Sequence, residues 1–212
     1  AANRKKKHIG LAPTGIAAIN AGGSTLHSFF KLPFHPLLPN DSMYSVRNIR
    51  NTLKYNSEKI KIIREVELII IDEISMVRAD IIDFIDKVLR VYCRNMREPF
   101  GGKQLLLVGD IYQLEPVVRE DDRKLLNPFY RSSFFFDAKI FQQFQLVSIE
   151  LKKVYRQSDP VFIGILDNIR TSQARMQDLK LLNQRVGAQL DEGDSKLAIT
   201  LSTRRDTVDY VN

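Results

Sequence analysis

Short continuous runs of apolar residues alternate along this chain with longer stretches in which apolar residues recur every three or four positions. Val66–Ile71 is almost entirely apolar and rich in β-branched residues, which is typical of a strand covered on both faces. From Ala79 to Met96 the apolar residues follow the spacing of a helix, and proline and glycine residues end the pattern soon afterwards. Leu105–Val108 is a second buried-strand candidate. The pattern therefore predicts a strand–helix–strand unit.

The same alternation continues on both sides of this unit. The further predicted elements are a strand at Ile9–Ala12, a helix at Gly15–Asn20 capped by Thr14, a strand at Val147–Leu151, a helix that begins at Pro160, a helix at Ala174–Val186 and a strand at Leu197–Leu201. Leu32–Tyr55 contains several proline, asparagine and serine residues and is predicted to be a long surface loop, with poor order left open. Repeated strand–helix alternation predicts an α/β fold built on a parallel sheet.

Composition adds an uneven distribution of charge to this picture. The length of 212 residues, with 44% hydrophobic and 27% charged residues, suits one or two globular domains. The net charge of +7 is confined to the first third of the chain, where 11 basic and 2 acidic residues lie up to Arg64. From Glu65 onward there are 21 basic and 23 acidic residues. We therefore expect a polyanionic partner that binds the first third of the chain.

Several classes of protein are excluded by what the sequence lacks. The single cysteine, Cys93, excludes a disulfide framework and a zinc site built on cysteines. No apolar run approaches the ~18 residues that a membrane-spanning helix needs, so no membrane partner is expected. The N-terminus carries no apolar signal segment. We expect an intracellular protein, located in the cytoplasm of a bacterium or in the nucleus or mitochondrion of a eukaryote.

The strongest chemical feature is the acidic pair Asp72-Glu73, which directly follows the predicted strand that ends at Ile71. Parallel sheets place their ligands at the carboxyl ends of the strands. In nucleoside triphosphatases such a pair binds Mg²⁺ through the first carboxylate, and the second orients and deprotonates the attacking water. The alternative is an acidic pair that only caps the following helix.

Two further features lie at the ends of other predicted strands. Asp110 follows Leu105–Val108, and Gln113 comes three residues later, within reach of a terminal phosphate if the two acidic strand ends are neighbours. The alternative is a turn that Asp110 merely caps. Arg156 follows the predicted strand Val147–Leu151 and is a candidate arginine finger, or otherwise a surface residue or a phosphate-backbone contact.

Small and hydroxyl-bearing residues in the first 30 positions form a candidate phosphate-backbone contact. Pro13-Thr14-Gly15 begins one predicted helix, and Thr25 and His27 lie in a second small-residue segment. His27 is a candidate for stacking on a base. Phe29-Phe30 is a second stacking candidate, although burial of both rings in the core is favoured.

Taken in order, these segments closely resemble the PIF-type DNA helicases, the petite integration frequency family, which are relatives of RecD within helicase superfamily one. The resemblance covers nearly the whole chain, from about residue 9 to residue 212. The matching segments are Ala12–Ala18 for motif Ia, Gly23–Phe30 for motif Ib, Asp72–Met76 for Walker B, Gly109–Gln113 for motif III and Tyr155–Gln157 for motif IV. Glu115 stands where the family usually has proline, a change that we do not interpret functionally.

The resemblance implies a RecA-like P-loop NTPase lobe, with a parallel sheet flanked by helices, that uses ATP and Mg²⁺. Asp72 would be the Mg²⁺ ligand and Glu73 the catalytic base. Gln113 would sense the γ-phosphate, and Arg156 would contact it from a second lobe. The expected partners are single-stranded DNA and forked or duplex DNA, with translocation from 5′ to 3′ and roles in DNA repair, recombination and telomere maintenance. The implied DNA contacts are Pro13, Thr14, Gly15, Thr25 and His27.

One feature of the family is missing from the printed sequence. No Gly-x-x-x-x-Gly-Lys-Ser/Thr loop occurs, and the basic run Arg4–Lys7 does not replace it. We therefore expect a fragment, incomplete at both ends, with little or no ATPase activity of its own. Residues 1–150 would form most of the first RecA-like lobe, and residues 151–212 would carry motif IV and begin the second.

Two other interpretations remain open on the sequence alone. The missing loop favours a non-catalytic module that binds nucleic acid or a protein partner, whereas the joint presence of Asp72, Glu73, Gln113 and Arg156 argues against a decayed site. A P-loop kinase or another small-substrate ATPase is the second alternative, and the motif Ib segment and the spacing of Arg156 argue against it.

Overall fold

The computed structural model describes residues 5–189 and 200–211 of the chain. The chain divides into two compact units, one that ends at Glu150 and one that begins at Leu151, and each is described by itself. None of the helices in these described ranges is long and apolar enough to cross a membrane.

The first unit is built on a four-stranded, entirely parallel sheet. Its strands are β1 (His8–Ala12), β2 (Ser24–Thr25), β3 (Leu68–Ile71) and β4 (Gln104–Leu107), in the spatial order β2-β1-β3-β4. Its helices are α1 (Gly15–Asn20), α2 (Leu26–Phe30), α3 (Ile49–Leu53), α4 (Ser57–Glu65), α5 (Ala79–Cys93) and α6 (Glu120–Leu126). The predicted parallel α/β sheet is confirmed.

One face of the sheet packs on α5 to form the hydrophobic core. Ile69 and Ile71 of β3 are fully buried there, in register with Leu105 and Leu107 of β4. The α5 side chains that join this core are Ala79, Ile81, Ile82, Phe84, Ile85, Val88, Leu89, Val91 and Tyr92. The helix ends at Cys93, three residues before the predicted end at Met96, and the next residue, Arg94, adopts a left-handed conformation. The burial predicted for Leu105–Val108 is found on one face only: Leu106 and Val108 are 47% and 41% exposed, while Leu105 and Leu107 pack against the core.

Two glycines allow β2 to lie beside β1. A Cβ atom on Gly23 would lie 1.8 Å from the carbonyl oxygen of Gly10, and a Cβ atom on Gly10 would lie 2.5 Å from the carbonyl oxygen of Ala21. Since real Cβ atoms never approach so closely, only glycine fits at these crossings. Thr14 caps α1 as predicted, because its Oγ1 accepts a hydrogen bond from the Ala17 N–H at 3.3 Å.

The predicted strand Val147–Leu151 is wrong. No strand forms there, and the side chains of Val147, Ile149 and Leu151 are between 82% and 90% exposed. A strand is stabilised by hydrogen bonds to a neighbouring strand, and β4 is bonded only to β3 within the described residues. The apolar run alone therefore does not make a strand. The predicted strand Leu197–Leu201 lies mostly outside the described residues, and Leu201 within them is exposed and not in a strand.

The segment Leu32–Tyr55 is also different from the predicted surface loop. It contains α3, and the side chains of Leu32, Leu37, Tyr44, Ile49, Leu53 and Tyr55 are buried in the core. Tyr55 also donates a hydrogen bond from its hydroxyl to the carbonyl oxygen of Phe30. The apolar residues of this segment recur without a regular period, which is why the sequence pattern does not reveal their burial.

The second unit contains α7 (Pro160–Arg170), α8 (Met176–Asn183) and α9 (Arg205–Val211). The predicted start of α7 is confirmed: the Asp159 carboxylate accepts hydrogen bonds from the N–H groups of Val161 and Phe162. The helix predicted at Ala174–Val186 is shorter at both ends.

Candidate active site

The carboxyl ends of β1, β3 and β4 meet at one edge of the sheet and bring the two acidic motifs together. The N–H of Asp72 donates to the carbonyl oxygen of Leu11 at 2.9 Å, which joins the end of β3 to the end of β1. The N–H of Ile74 donates to the carbonyl oxygen of Val108 at 3.0 Å, which joins the same turn to the end of β4. The Walker B segment therefore lies between the motif Ia strand and the motif III strand, where parallel sheets bind ligands.

Asp72 presents a carboxylate at this edge. Its Oδ1 accepts a hydrogen bond from the N–H of Glu73 at 2.9 Å, and within the described part of the chain Oδ2 has no hydrogen-bond or ion-pair partner. Carboxylate oxygens suit Mg²⁺, which typically takes one or two protein carboxylates together with substrate phosphates and water. The Asp72 carboxylate fits a site of this shared kind. Among the described residues, no group of three or more potential metal-binding side chains occurs.

Glu73 has a strained backbone. Its φ of 51° and ψ of 45° place it in the left-handed region, immediately before a single 3-10 turn at Ile74–Met76. This conformation is unfavourable for residues other than glycine, and such strain is concentrated at functional sites. The half-buried Glu73 carboxylate has no hydrogen-bond or ion-pair partner among the described residues. The turn thus presents a carboxylate that is available to a ligand.

Asp110 does cap the turn after β4, and it also holds Gln113. Its Oδ1 accepts a hydrogen bond from the N–H of Tyr112 at 3.0 Å, and its Oδ2 accepts one from the side-chain amide of Gln113 at 3.3 Å. The predicted turn cap is therefore present, and the role of Gln113 towards a phosphate stays a prediction. The exposed Gln113 side chain is thereby held beside Asp110, in the turn that follows β4.

The residues predicted to contact DNA lie at the carboxyl ends of β1 and β2. Thr25 caps α2 as Thr14 caps α1, with its Oγ1 accepting a hydrogen bond from the Ser28 N–H at 3.1 Å. Each threonine hydroxyl still has its own hydrogen to donate to an acceptor such as a phosphate oxygen. Pro13 is half-buried, and Gly15 is exposed with no atom within 4 Å of the position of a Cβ atom.

His27 lies half-buried in α2, within range of the charge of Arg78, which directly precedes α5. Burial, and secondarily the positive charge of Arg78, lower the pKa of His27 below its usual value of 6.5. Its imidazole stacks on Phe34 with a centroid distance of 5.3 Å and an interplanar angle of 14°. Phe29 and Phe30 are buried in the core, as favoured from the sequence, and do not face solvent.

The sequence interpretation missed the buried ion pair between Arg78 and Asp80. Asp80 is 2% exposed, and its two carboxylate oxygens accept hydrogen bonds from Nε and Nη2 of Arg78 at 2.8 and 2.7 Å. Asp80 Oδ2 also accepts a hydrogen bond from the N–H of Leu37 at 2.9 Å. The only sequence signal was an acidic residue in the first turn of a helix, a favourable position for a carboxylate that does not by itself indicate burial.

Arg156 belongs to the second unit and lies in an exposed bend before α7. No hydrogen bond or ion pair to its side chain occurs within the described residues.

Comparison with known proteins identifies the family of this chain. The family model described as "PIF1-like helicase" matches residues 2–178. The ATP-dependent DNA helicase PIF1 of Danio rerio is 31% identical over 211 residues, which cover 98% of this chain and 30% of that protein. The ATP-dependent DNA helicase RRM3 of Saccharomyces cerevisiae is 29% identical over 201 residues, which cover 95% of this chain and 26% of that protein.

Solved structures of Pif1 helicases match the fold of this chain. The crystal structure of Pif1 helicase from Bacteroides in complex with ADP-AlF3 and single-stranded DNA has a TM-score of 0.87 at 40% identity. The match covers 99% of this chain and 47% of that one. A Pif1 structure described as a basis for DNA unwinding at forked duplex DNA also has a TM-score of 0.87, at 41% identity. The predicted RecA-like lobe, a parallel sheet flanked by helices, is confirmed, and the chain belongs to the PIF1-like helicase family.

Proposed function

We propose that this chain is the part of an ATP-dependent 5′-to-3′ DNA helicase that carries Walker B, motif III and the first DNA-contacting motifs. The observation that carries the proposal is the meeting of Asp72-Glu73 with Gly109-Asp110 at one sheet edge, through the Ile74–Val108 hydrogen bond. The chain spans 26% and 30% of two curated relatives, so the activity proposed is that of the whole protein. The whole protein would be located in a cell compartment that contains DNA.

Three side chains of the first unit would act on the nucleotide. Asp72 would hold Mg²⁺ through its Oδ2, which has no partner among the described residues. Bound Mg²⁺ would neutralise part of the charge of the phosphates. Glu73 would accept the proton of the attacking water, which requires a carboxylate free of internal partners. Gln113, already fixed by Asp110, would donate a hydrogen bond to the terminal phosphate.

The remaining predicted residues would couple this site to DNA and to a second lobe. Thr14 and Thr25 would donate hydrogen bonds to the sugar-phosphate backbone, beside Pro13, Gly15 and His27. We propose that the two compact units, whose boundary along the chain lies between residues 150 and 151, belong to the first and second RecA-like lobes. Arg156, from the second unit, would then contact the γ-phosphate when the lobes close around it.

The proposal is tested with the natural full-length protein. ATP hydrolysis is measured with and without single-stranded DNA, and unwinding is measured on duplexes that carry either a 5′ or a 3′ single-stranded tail. We expect DNA to stimulate hydrolysis and only the 5′-tailed duplex to be unwound. DNA binding without any hydrolysis would instead favour the non-catalytic module, and hydrolysis that is indifferent to DNA would favour a small-substrate ATPase.

A further inference from the structure

Phe34 differs from the other phenylalanines in its exposure to solvent. The chain has 12 phenylalanines, and the Phe34 side chain is 90% exposed, whereas Phe136, the next most exposed, is 42% exposed. Single exposed apolar residues are common on protein surfaces. Exposure alone therefore does not assign a role to Phe34. Whether Phe34 has a binding role depends on the residues that surround it.

The Phe34 ring is held against His27, a residue already predicted to contact DNA. The two rings are nearly parallel, at 14°, with centroids 5.3 Å apart. One side of the phenyl ring is thus supported by the imidazole, while most of the ring stays accessible. The pair forms a two-ring platform, the His27–Phe34 platform, of about the size of a nucleobase stack.

The loop that carries Phe34 is anchored on both sides. Leu32 and Leu37 are 5% and 4% exposed, so the residues that flank Phe34 are fixed in the core. The N–H of Leu32 donates to the carbonyl oxygen of His27 at 3.0 Å, and the N–H of Leu37 donates to the buried carboxylate of Asp80 at 2.9 Å. An exposed ring on an anchored loop is pre-organised, so binding a partner costs little conformational entropy.

The position and charge of the platform suit a nucleic-acid strand. His27 lies in α2, which begins directly after the carboxyl end of β2, and Asp80 lies in the first turn of α5, which follows the Walker B segment. The platform is therefore on the side of the sheet where the candidate DNA contacts lie. Residues 26–64 carry seven basic and two acidic side chains, a balance that favours a polyanionic partner for this part of the chain.

We infer that the exposed face of Phe34 stacks on one base of a bound single-stranded DNA, with His27 supporting the ring from behind. Proteins that bind single strands combine basic surfaces with aromatic side chains on which bases stack, and stacking tolerates any base because every base has a π face. The inference rests on the proposed function, since it assumes that single-stranded DNA binds this unit. It adds a base contact to the backbone contacts of Thr14 and Thr25.

The test compares aromatic and non-aromatic side chains at position 34 in the natural full-length protein. Affinity for a fluorescent oligo(dT) is measured at several salt concentrations for wild type, Phe34→Ala, Phe34→Leu and Phe34→Tyr. Phe136→Leu is the matched control, because Phe136 is also partly exposed and stacks on another ring, Phe134, at 5.2 Å and 6°. Oligonucleotides with 2-aminopurine at single positions report stacking by fluorescence quenching.

We expect Phe34→Ala and Phe34→Leu to weaken binding roughly five-fold or more, while Phe34→Tyr and Phe136→Leu bind as wild type. The slope of affinity against salt concentration stays unchanged, since Phe34 carries no charge. One 2-aminopurine position loses its quenching in Phe34→Leu. Wild-type affinity and quenching in Phe34→Leu would overturn the inference alone. Failure of the wild-type protein to bind any oligonucleotide would overturn the proposed function as well.

Discussion

Gly109 and Ile74 are in such close contact that no larger residue fits at position 109. A Cβ atom on Gly109 would lie 2.9 Å from the backbone nitrogen of Ile74 and 3.0 Å from its Cγ2. The same nitrogen donates the hydrogen bond to Val108 that joins the Walker B turn to the end of β4. The side chain that is absent from position 109 thus allows the two acidic motifs to lie side by side.

Replacing Gly109 by alanine should separate the two motifs, because the obstacle is backbone and cannot rotate away. We expect Gly109→Ala to lower both the melting temperature and DNA-stimulated ATP hydrolysis in the full-length protein. Gly164→Ala is the control, since Gly164 in α7 has no atom within 4 Å of its Cβ position. Alanine in a helix is favoured over glycine, so this control should be neutral or slightly stabilising. Equal behaviour of the two variants would show that the close approach is not needed.

Loss of the Asp80 carboxylate should destabilise the fold strongly. In Asp80→Ala the Arg78 guanidinium, whose side chain is 12% exposed, loses its partner, and the Leu37 N–H loses its acceptor. Breaking such a buried pair costs about 3–5 kcal/mol. Urea denaturation followed by circular dichroism measures the change. The exposed Asp121, 3.5 Å from Lys124, provides the control, and Asp121→Ala should unfold as wild type.

Protonation of His27 should lower the stability of the folded chain at acidic pH. The folded chain disfavours the imidazolium because of burial and Arg78, so the pKa of His27 lies below the 6.5 expected in the unfolded chain. The unfolded state then binds more protons as the pH falls, and the contribution to stability, complete above about pH 6.5, is lost below it. Proton NMR should place the His27 titration below pH 6.5. A titration midpoint above 6.5 would contradict the assigned environment.

Arg156 should matter for hydrolysis more than for nucleotide binding. If it contacts the γ-phosphate in the closed state, Arg156→Ala removes charge stabilisation in the transition state, and turnover falls while nucleotide affinity changes little. Arg170→Ala, which removes an exposed cation at the end of α7, is the control. Equal losses of binding and turnover in Arg156→Ala would count against a role as an arginine finger.

The regular helices and strands were predictable because burial against the core and short-range capping hydrogen bonds leave local patterns in the sequence. The period of α5 and the apolar run of β3 are both consequences of facing one core, and Thr14 and Asp159 mark helix starts through short-range hydrogen bonds. The position of Asp72-Glu73 was also predictable, because residues that directly follow a parallel strand such as β3 lie at the edge of the sheet.

The remaining features depend on contacts between residues distant in sequence. The strand predicted at Val147–Leu151 needs a hydrogen-bonded neighbour that an apolar run does not reveal. The burial of Asp80 depends on Arg78 and on the N–H of Leu37, which is 43 residues away. The stacking of Phe34 on His27 depends on a loop whose apolar residues have no regular period.

The central claim is that Glu73 is the base of an ATP-hydrolysing site at the end of β3. The most direct measurement is the turnover and the nucleotide affinity of Glu73→Gln in the full-length protein, in the presence of single-stranded DNA. Glu115→Gln is the control, because Glu115 is an exposed acid in the loop after motif III. We expect Glu73→Gln to bind ATP like wild type while turnover falls by roughly 100-fold or more, with Glu115→Gln unchanged. Unchanged turnover in Glu73→Gln would contradict the account.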